Sequence, residues 1–400
     1  MNKTEMFVQG LSKRSFLSMW GCPSPQGKAK GKELCDFLVV CYPDIIIFSV
    51  KEIEFHDGVD PVLSANRWRK KAIKNSVKQI YGAERLIARL NRVLTDKGKD
   101  WLLLPELSAR RVFRIAVALG SKGQAPISSG DFGKGFVHVF DEISLGIIMD
   151  ELDTITDFVG YLEAKEGLFA TKTALALPGG EEDLLAIYLH NGRSFPHAGS
   201  GIVVVDEGSW YDFSKKPEYL RKKKEDEISY GWDRLIEKLC EDFYSNDLEV
   251  GGSLDEMEAA FREMARETRF NRRFLSKNFI DLVTTGKAKK IRSRKLQSPS
   301  GVVYVFSIYP RDEDRQYRRA DLANRCFVAR GITSGCKMVI GIATEAYEGK
   351  PGFSLDVIYL HKPDWSEEDR ILCEKMQREL NYFVTPIITM VREREYPQGQ

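Results

Sequence analysis

Residues 34–53 read LCDFLVVCYPDIIIFSVKEI, two apolar runs rich in β-branched side chains on either side of Tyr42-Pro43-Asp44. Runs of this length around a Pro-Asp turn predict a strand, a turn and a strand. Side chains alternate across a strand, so Leu34, Asp36, Leu38 and Val40 share one face of the first, and Ile45, Ile47, Ser49 and Lys51 share one face of the second. A tight hairpin then brings Asp36 and Lys51 together at its open end. Opposite charges among β-branched neighbours are costly unless they bind something.

Outward from the hairpin, residues 64–94 change to helical spacing, with Trp68, Ala72, Val77, Ile80, Ala83, Ile87 and Leu90 three to five residues apart. Strands are expected at 112–119 and 135–140, around the Gly/Ser/Pro-rich stretch 121–135. One helix is expected over 144–166, striped by Leu145, Ile148, Leu152, Ile155, Phe158 and Leu162, and further strands at 184–189 and 202–205. Residues 1–212 therefore read as an α/β domain. Residues 213–229 contain KKPEYLRKKKEDE, almost devoid of apolar side chains, and read as a charged linker. Beyond it, helical patterns at 230–245 and 253–284 precede a strand, helix, strand, strand and helix, so 230–400 reads as a helical plus α/β domain.

The 400 residues carry 60 Lys+Arg against 58 Asp+Glu, a net charge of +2, with 43% hydrophobic and 11% aromatic side chains. That composition excludes disorder as the main state and leaves material for two or three cores. Any nucleic-acid affinity must come from local clusters. Seven scattered cysteines contain no CxxC pair, which fits neither a disulfide framework nor a zinc ribbon. The start lacks the apolar core of a signal peptide, and the most apolar stretch is broken by Pro43. The expectation is a reducing cytoplasm, no membrane, and thiols packed as small apolar groups.

Gly31-Lys32-Glu33-Leu34-Cys35-Asp36, followed by strand, turn and a strand ending in Lys51, resembles the PD-(D/E)XK nuclease superfamily, especially its NERD-like and Holliday-junction-resolvase-like branches. The resemblance covers roughly residues 10–95. It implies a restriction-endonuclease-like N-terminal domain with a mixed sheet. It further implies Mg²⁺ or Mn²⁺ held by Asp36 and Glu33, Lys51 orienting water or neutralising phosphate, and Gln79, in Lys78-Gln79-Ile80-Tyr81, as a positioning group. Carboxylates hold such hard cations, which generate hydroxide and stabilise charge developing on phosphorus. Where the family carries Asp or Glu two residues before the lysine, this chain has Ser49. Glu33 completes the metal site only if residues 31–34 form a turn or bulge; otherwise the site is catalytically degenerate. Both Asp36 and Lys51 are expected at a wet strand end.

Two segments are strongly basic. Residues 66–92 hold Arg67, Arg69, Lys70, Lys71, Lys74, Lys78, Arg85, Arg89 and Arg92 against one acid, Glu84, and residues 262–295 hold twelve Lys/Arg against three acids, with Phe270, Phe274 and Phe279 interleaved. Both suit a phosphate backbone, the second through Arg272, Arg273, Lys289 and Lys290. Elsewhere His138 reads as a packed histidine, His190 and His197 have no third metal partner, and Asp150, Glu151, Asp153 and Asp157 read as a solvated helix surface. No P-loop is present.

The leading expectation is a metal-dependent DNA nuclease, placed by analogy in bacterial antiviral defence or repair. The alternative is a catalytically degenerate nucleic-acid-binding or regulatory protein of the same fold. A third reading is a scaffold that binds a partner protein or a second copy through residues 230–400.

Overall fold

The computed structural model describes residues 10, 14–27, 33–56, 60–123, 128–171, 174–176, 178–196, 202–245, 254–284, 290–347, 354–384 and 393–397. The chain is mixed α/β and divides into two compact units, 1–220 and 221–400.

In the first unit a short helix α1 (residues 14–20) leads into β1 (Gly21–Pro23), β2 (Phe37–Cys41) and β3 (Asp44–Glu52). These form an antiparallel meander, with Phe37 opposite Phe48 and Cys41 opposite Asp44. The hairpin turn is therefore Tyr42-Pro43, and Asp44 already belongs to β3. Asp44 is buried because Arg111 Nε donates to its Oδ1 at 2.7 Å. Helix α2 (Pro61–Arg69), a π-helical turn (Lys70–Lys74) and α3 (Asn75–Ile87) run in series. Asp60 caps the start, accepting from the Val62 and Leu63 N–H groups. Beyond β4 (Arg92–Leu94) and β5 (Asp100–Leu103), β6 (Arg111–Leu119) joins β3 in parallel. The small strand β7 (Gly130–Asp131) and β8 (Phe136–Phe140) complete a six-stranded mixed sheet of order β1-β2-β3-β6-β8-β7.

One sheet face presents Phe37 and Phe48, whose rings meet at 5.8 Å; Phe16 of α1 stacks between Phe48 and Phe158 at 6.1 and 5.4 Å. On the other face α3 packs over β3 and β6 with Val77, Ile80, Ala83 and Ile87 buried. Strands β2 and β3 are apolar on both faces because both are covered.

Three expectations fail here. The 144–166 helix is two, α4 (Glu142–Glu151) and α5 (Ile155–Ala170), because Thr154 caps the second by accepting from the Asp157 N–H. The acids at this break are not solvated: Glu151, Asp153 and Asp157 are 2%, 1% and 3% exposed, with Tyr219 donating to Glu151 and Arg193 pairing with Asp157. Residues 184–189 are not a strand but part of α6 (Glu181–His190), which follows β9 (Ala174–Ala176); three acids in its first turn suit the positive end of the helix. Strand β10 (Ile202–Val204) pairs with β9, outside the main sheet.

The stretch expected as a linker is helical, as α7 (Ser209–Ser214) and α8 (Pro217–Asp226). Lys222 and Asp226 pair at 3.0 Å and are nearly inaccessible, so this charged sequence is packed rather than exposed.

The second unit contains α9 (Tyr230–Tyr244), α10 (Leu254–Ala265) and α11 (Arg269–Thr284), then β11 (Arg292–Gln297), β12 (Val303–Tyr309), α12 (Arg315–Gly331), β13 (Met338–Glu345), β14 (Leu355–His361) and α13 (Glu367–Leu380). Its sheet order is β11-β12-β13-β14, parallel only between β12 and β13, which α12 connects. Leu322, Cys326 and Ala329 of α12 pack on Val303, Val305, Val339 and Ala343. Trp232 and Phe279 meet Phe306 at 6.0 and 5.2 Å.

All seven cysteines are free and buried, and burial pushes the Cys22 thiol up to about 12. Among the described residues no helix is long and apolar enough to cross a membrane.

Candidate functional site

The β2–β3 pairing ends with Phe37 opposite Phe48, and Asp36 precedes it at the open end of the hairpin. The Asp36 N–H donates to the Phe48 carbonyl at 3.2 Å, which fixes this end of the hairpin. Asp36, Ser49 and Lys51 then lie on the face that α3 covers, and α3 brings Gln79 over them.

The Asp36 carboxylate is held from two sides. Its Oδ2 accepts from the Val50 N–H at 2.5 Å, and its Oδ1 accepts from Gln79 Nε2 at 3.2 Å. Ser49, fully buried, donates its hydroxyl to Gln79 Oε1 at 3.1 Å. Lys51 Nζ lies 3.9 Å from Asp36 Oδ2, with its side chain 33% exposed against 12% for Asp36. Four of the expected site residues therefore converge. Asp36 is not at a wet strand end, however: it is an internal acceptor, and Lys51 forms the rim.

Glu33 is exposed, and its backbone bridges Gln26. Gly31, on which the expected turn rests, is outside the described residues. Among those residues no group of three or more His, Cys, Asp or Glu could hold a metal ion. The chemistry at the strand end is thus one carboxylate with both oxygens engaged, a neutral hydroxyl, an amide and one cation. Mg²⁺ is ordinarily held by one or two carboxylates together with waters and substrate phosphate, and Asp36 is the one carboxylate that this set supplies.

The two basic segments differ in how their side chains are paired. Arg67, Lys70, Lys71, Lys74, Lys78, Arg85 and Arg89 are exposed, and no carboxylate among the described residues pairs with them; Arg69 is half-buried. The one acid of that segment, Glu84, is neutralised by Arg114, whose Nε and Nη2 donate to its two oxygens at 2.7 and 2.5 Å. The expectation for Arg272 and Arg273 is overturned. Arg272 is fully buried, donating to Asp233 Oδ1 at 2.6 Å and to the Glu267 carbonyl at 3.0 Å. Arg273, 2% exposed, donates to Asp226 at 2.7 Å and Glu225 at 2.8 Å. Neither can reach a phosphate. Lys290 is exposed and Lys289 lies outside the described residues.

A second polar cluster lies behind β8. His138, fully buried as expected, sits 3.1 Å from Glu166 through Nε2, while its Nδ1 has no hydrogen-bond partner. Burial, then the charges of Lys165 and Arg114, holds this imidazole well below its usual value, and burial raises Glu166. Lys165, also buried, donates to Ser129 at 2.7 Å and Glu181 at 2.5 Å. Because Glu181 stays paired with it, Lys165 is a tether between β8, α5 and α6 rather than a free base. His190 lies 3.3 Å from Lys216, and His197 is outside the described residues.

Sequence reasoning missed the Val50 N–H that claims Asp36, the Arg114–Glu84 pair and Gly82. Only Gly82 had a local signal, a glycine inside a helical pattern. No family model, curated protein or solved structure matches this chain.

Proposed function

We propose that the first unit is a nucleic-acid-binding unit built like a PD-(D/E)XK nuclease, with a catalytically degenerate strand-end site. The order α1, a β1-β2-β3 meander, a helical crossover and a parallel β6 supports that likeness, as do Asp36, Lys51 and Gln79 at the positions the resemblance assigns. The observation that carries the degenerate reading is the internal capture of Asp36. Its oxygens accept from the Val50 N–H and Gln79, and Ser49 stands where the family carries a second carboxylate. A metal ion there would have a single charged ligand, on a carboxylate that already accepts two hydrogen bonds. Lys51 remains as a rim cation able to meet a phosphate.

The test incubates the protein with plasmid, linear and single-stranded DNA, with Mg²⁺, Mn²⁺ or EDTA. DNA binding without metal-dependent cleavage is the expected result, with cleavage gained in Ser49→Asp. The convergence of Asp36, Lys51 and Gln79 favours a second reading, an active metal-dependent DNA nuclease. Cleavage by the parent that falls on the order of 10²-fold or more in Lys51→Ala would establish that reading instead.

A further inference from the structure

Residues 74, 78, 85 and 89 recur at spacings of four, seven and four, so they fall on one line of α3 and its C-terminal turn, and Arg67 and Lys71 continue the exposed side through α2 and the π-helical turn. The opposite side is the buried one, carrying Trp68, Ala72, Ile73, Ser76, Val77, Ile80, Ala83 and Ile87. All six are Lys or Arg, all are exposed, and none is paired with a described carboxylate. Solvated helix faces ordinarily mix signs. Here the segment's one acid is removed from the field by Arg114.

Gly82 occupies the line's remaining position, four residues after Lys78 and three before Arg85. A glycine inside a helix weakens it, yet a Cβ at Gly82 would meet nothing within 4 Å. Packing within the fold does not require glycine there, and its lack of a side chain leaves the backbone open to close approach. At about 1.5 Å per residue the stretch from Arg67 to Arg89 spans about 33 Å, close to one turn of a duplex. Stacking side chains, which single strands need, are missing from it: Trp68 is buried, donating to the Ile53 carbonyl, and the half-buried Tyr81 donates its hydroxyl to the Gly135 carbonyl at 2.7 Å.

We propose that the stripe Arg67, Lys71, Lys74, Lys78, Arg85 and Arg89, with Gly82 at its centre, is the docking surface for the phosphate backbone of a nucleic-acid duplex. This rests on the nucleic-acid-binding reading and names its surface and partner class. Phosphates contribute affinity without sequence information, so binding is sequence-tolerant and salt-steep.

The experiment measures anisotropy of a labelled mixed-sequence 20-mer as duplex DNA, duplex RNA and single-stranded DNA, and sedimentation with anionic phospholipid vesicles. Duplex binding should weaken with salt, and the triple variant Lys71→Glu, Lys74→Glu, Lys78→Glu should bind at least tenfold more weakly. Its slope of log K against log[salt] should be shallower by about 2.7, three contacts at about 0.9 each, with an unchanged Tm. Lys375→Glu, at an exposed position on α13, serves as the control and should change nothing. Gly82→Leu should raise Tm while weakening duplex binding, which a purely structural role would not produce. Duplex binding unaffected by the triple variant overturns the stripe and leaves the nucleic-acid reading standing. Binding to single strands or vesicles alone overturns the duplex assignment, and no binding to any nucleic acid overturns both.

Discussion

Residues 66–92 and 262–295 look alike as text: dense in Lys and Arg, poor in acids, threaded with aromatic residues. In the fold they are opposites. The first keeps a row of cations in water, while in the second Arg269, Arg272 and Arg273 are buried against Asp233, Asp226 and Glu225. Their partners lie 36 to 48 residues away in sequence, so a window counting charges along the chain cannot see them. Basic density is therefore a statement about composition; whether it is a binding surface depends on where the acids fold to.

The sharpest way to break this contrast is to remove a buried guanidinium. Arg272→Ala should cost about 3–5 kcal/mol, because it strips a partner from buried Asp233 and abandons two backbone carbonyls. Urea unfolding monitored by circular dichroism reads this directly, and Lys74→Ala in the same assay should stay within about 0.5 kcal/mol. Comparable losses at both positions would erase the distinction.

The strand-end site offers a smaller contrast of the same kind. Asp36→Ala should destabilise by about 1–3 kcal/mol, since the Val50 N–H loses its acceptor, whereas Lys51→Ala, at the rim, should cost under about 1 kcal/mol. Asp36→Asn, which keeps an acceptor oxygen, should recover part of the loss. An Asp36→Ala protein as stable as the parent would mean that the carboxylate is wet and available after all.

The smallest effect is a pH dependence. His138 is held neutral in the fold by burial and by the neighbouring Lys165 and Arg114 charges. The unfolded chain takes up a proton near pH 6.5 and the folded one does not, so stability falls as pH falls through that value, by at most about 1.4 kcal/mol per pH unit. Glu166 works in the opposite sense: with its value raised, its contribution is present at low pH and lost as pH rises. Thermal melts of the parent and His138→Gln between pH 7.5 and 5.5 separate the two, and the variant should show the flatter profile.

Legibility followed the range of the forces involved. The 34–53 hairpin and the 64–94 helix, up to residue 87, were readable because alternation and the three-to-four spacing are local consequences of burying one face or two, while residues 92–94 are strand β4. The 184–189 segment was misread because a short apolar run fits a buried strand or a helix equally well, although the acids at Glu181, Glu182 and Asp183 marked a helix start. The break at Thr154 likewise carried a capping signature in Thr154-x-x-Asp157. Strand β11 went unnoticed because RSRKLQ was read for its charge rather than its alternation.

By itself the sequence determined the α/β class, the hairpin with Asp36 and Lys51 at its open end, the helix that delivers Gln79, and the basic density of residues 66–92. These are short-range properties, set by backbone periodicity and by which side chains leave water. Only the tertiary structure decided which charges survive as charges. It gave Asp36 to the Val50 N–H, turned Ser49 toward Gln79, buried Arg272 and Arg273 beside acids from distant helices, and let Arg114 take Glu84 away from the cationic stripe. The reason is that a charge is cancelled by whatever lies within a few ångströms of it, and that neighbour is chosen by chain folding rather than by position in the sequence.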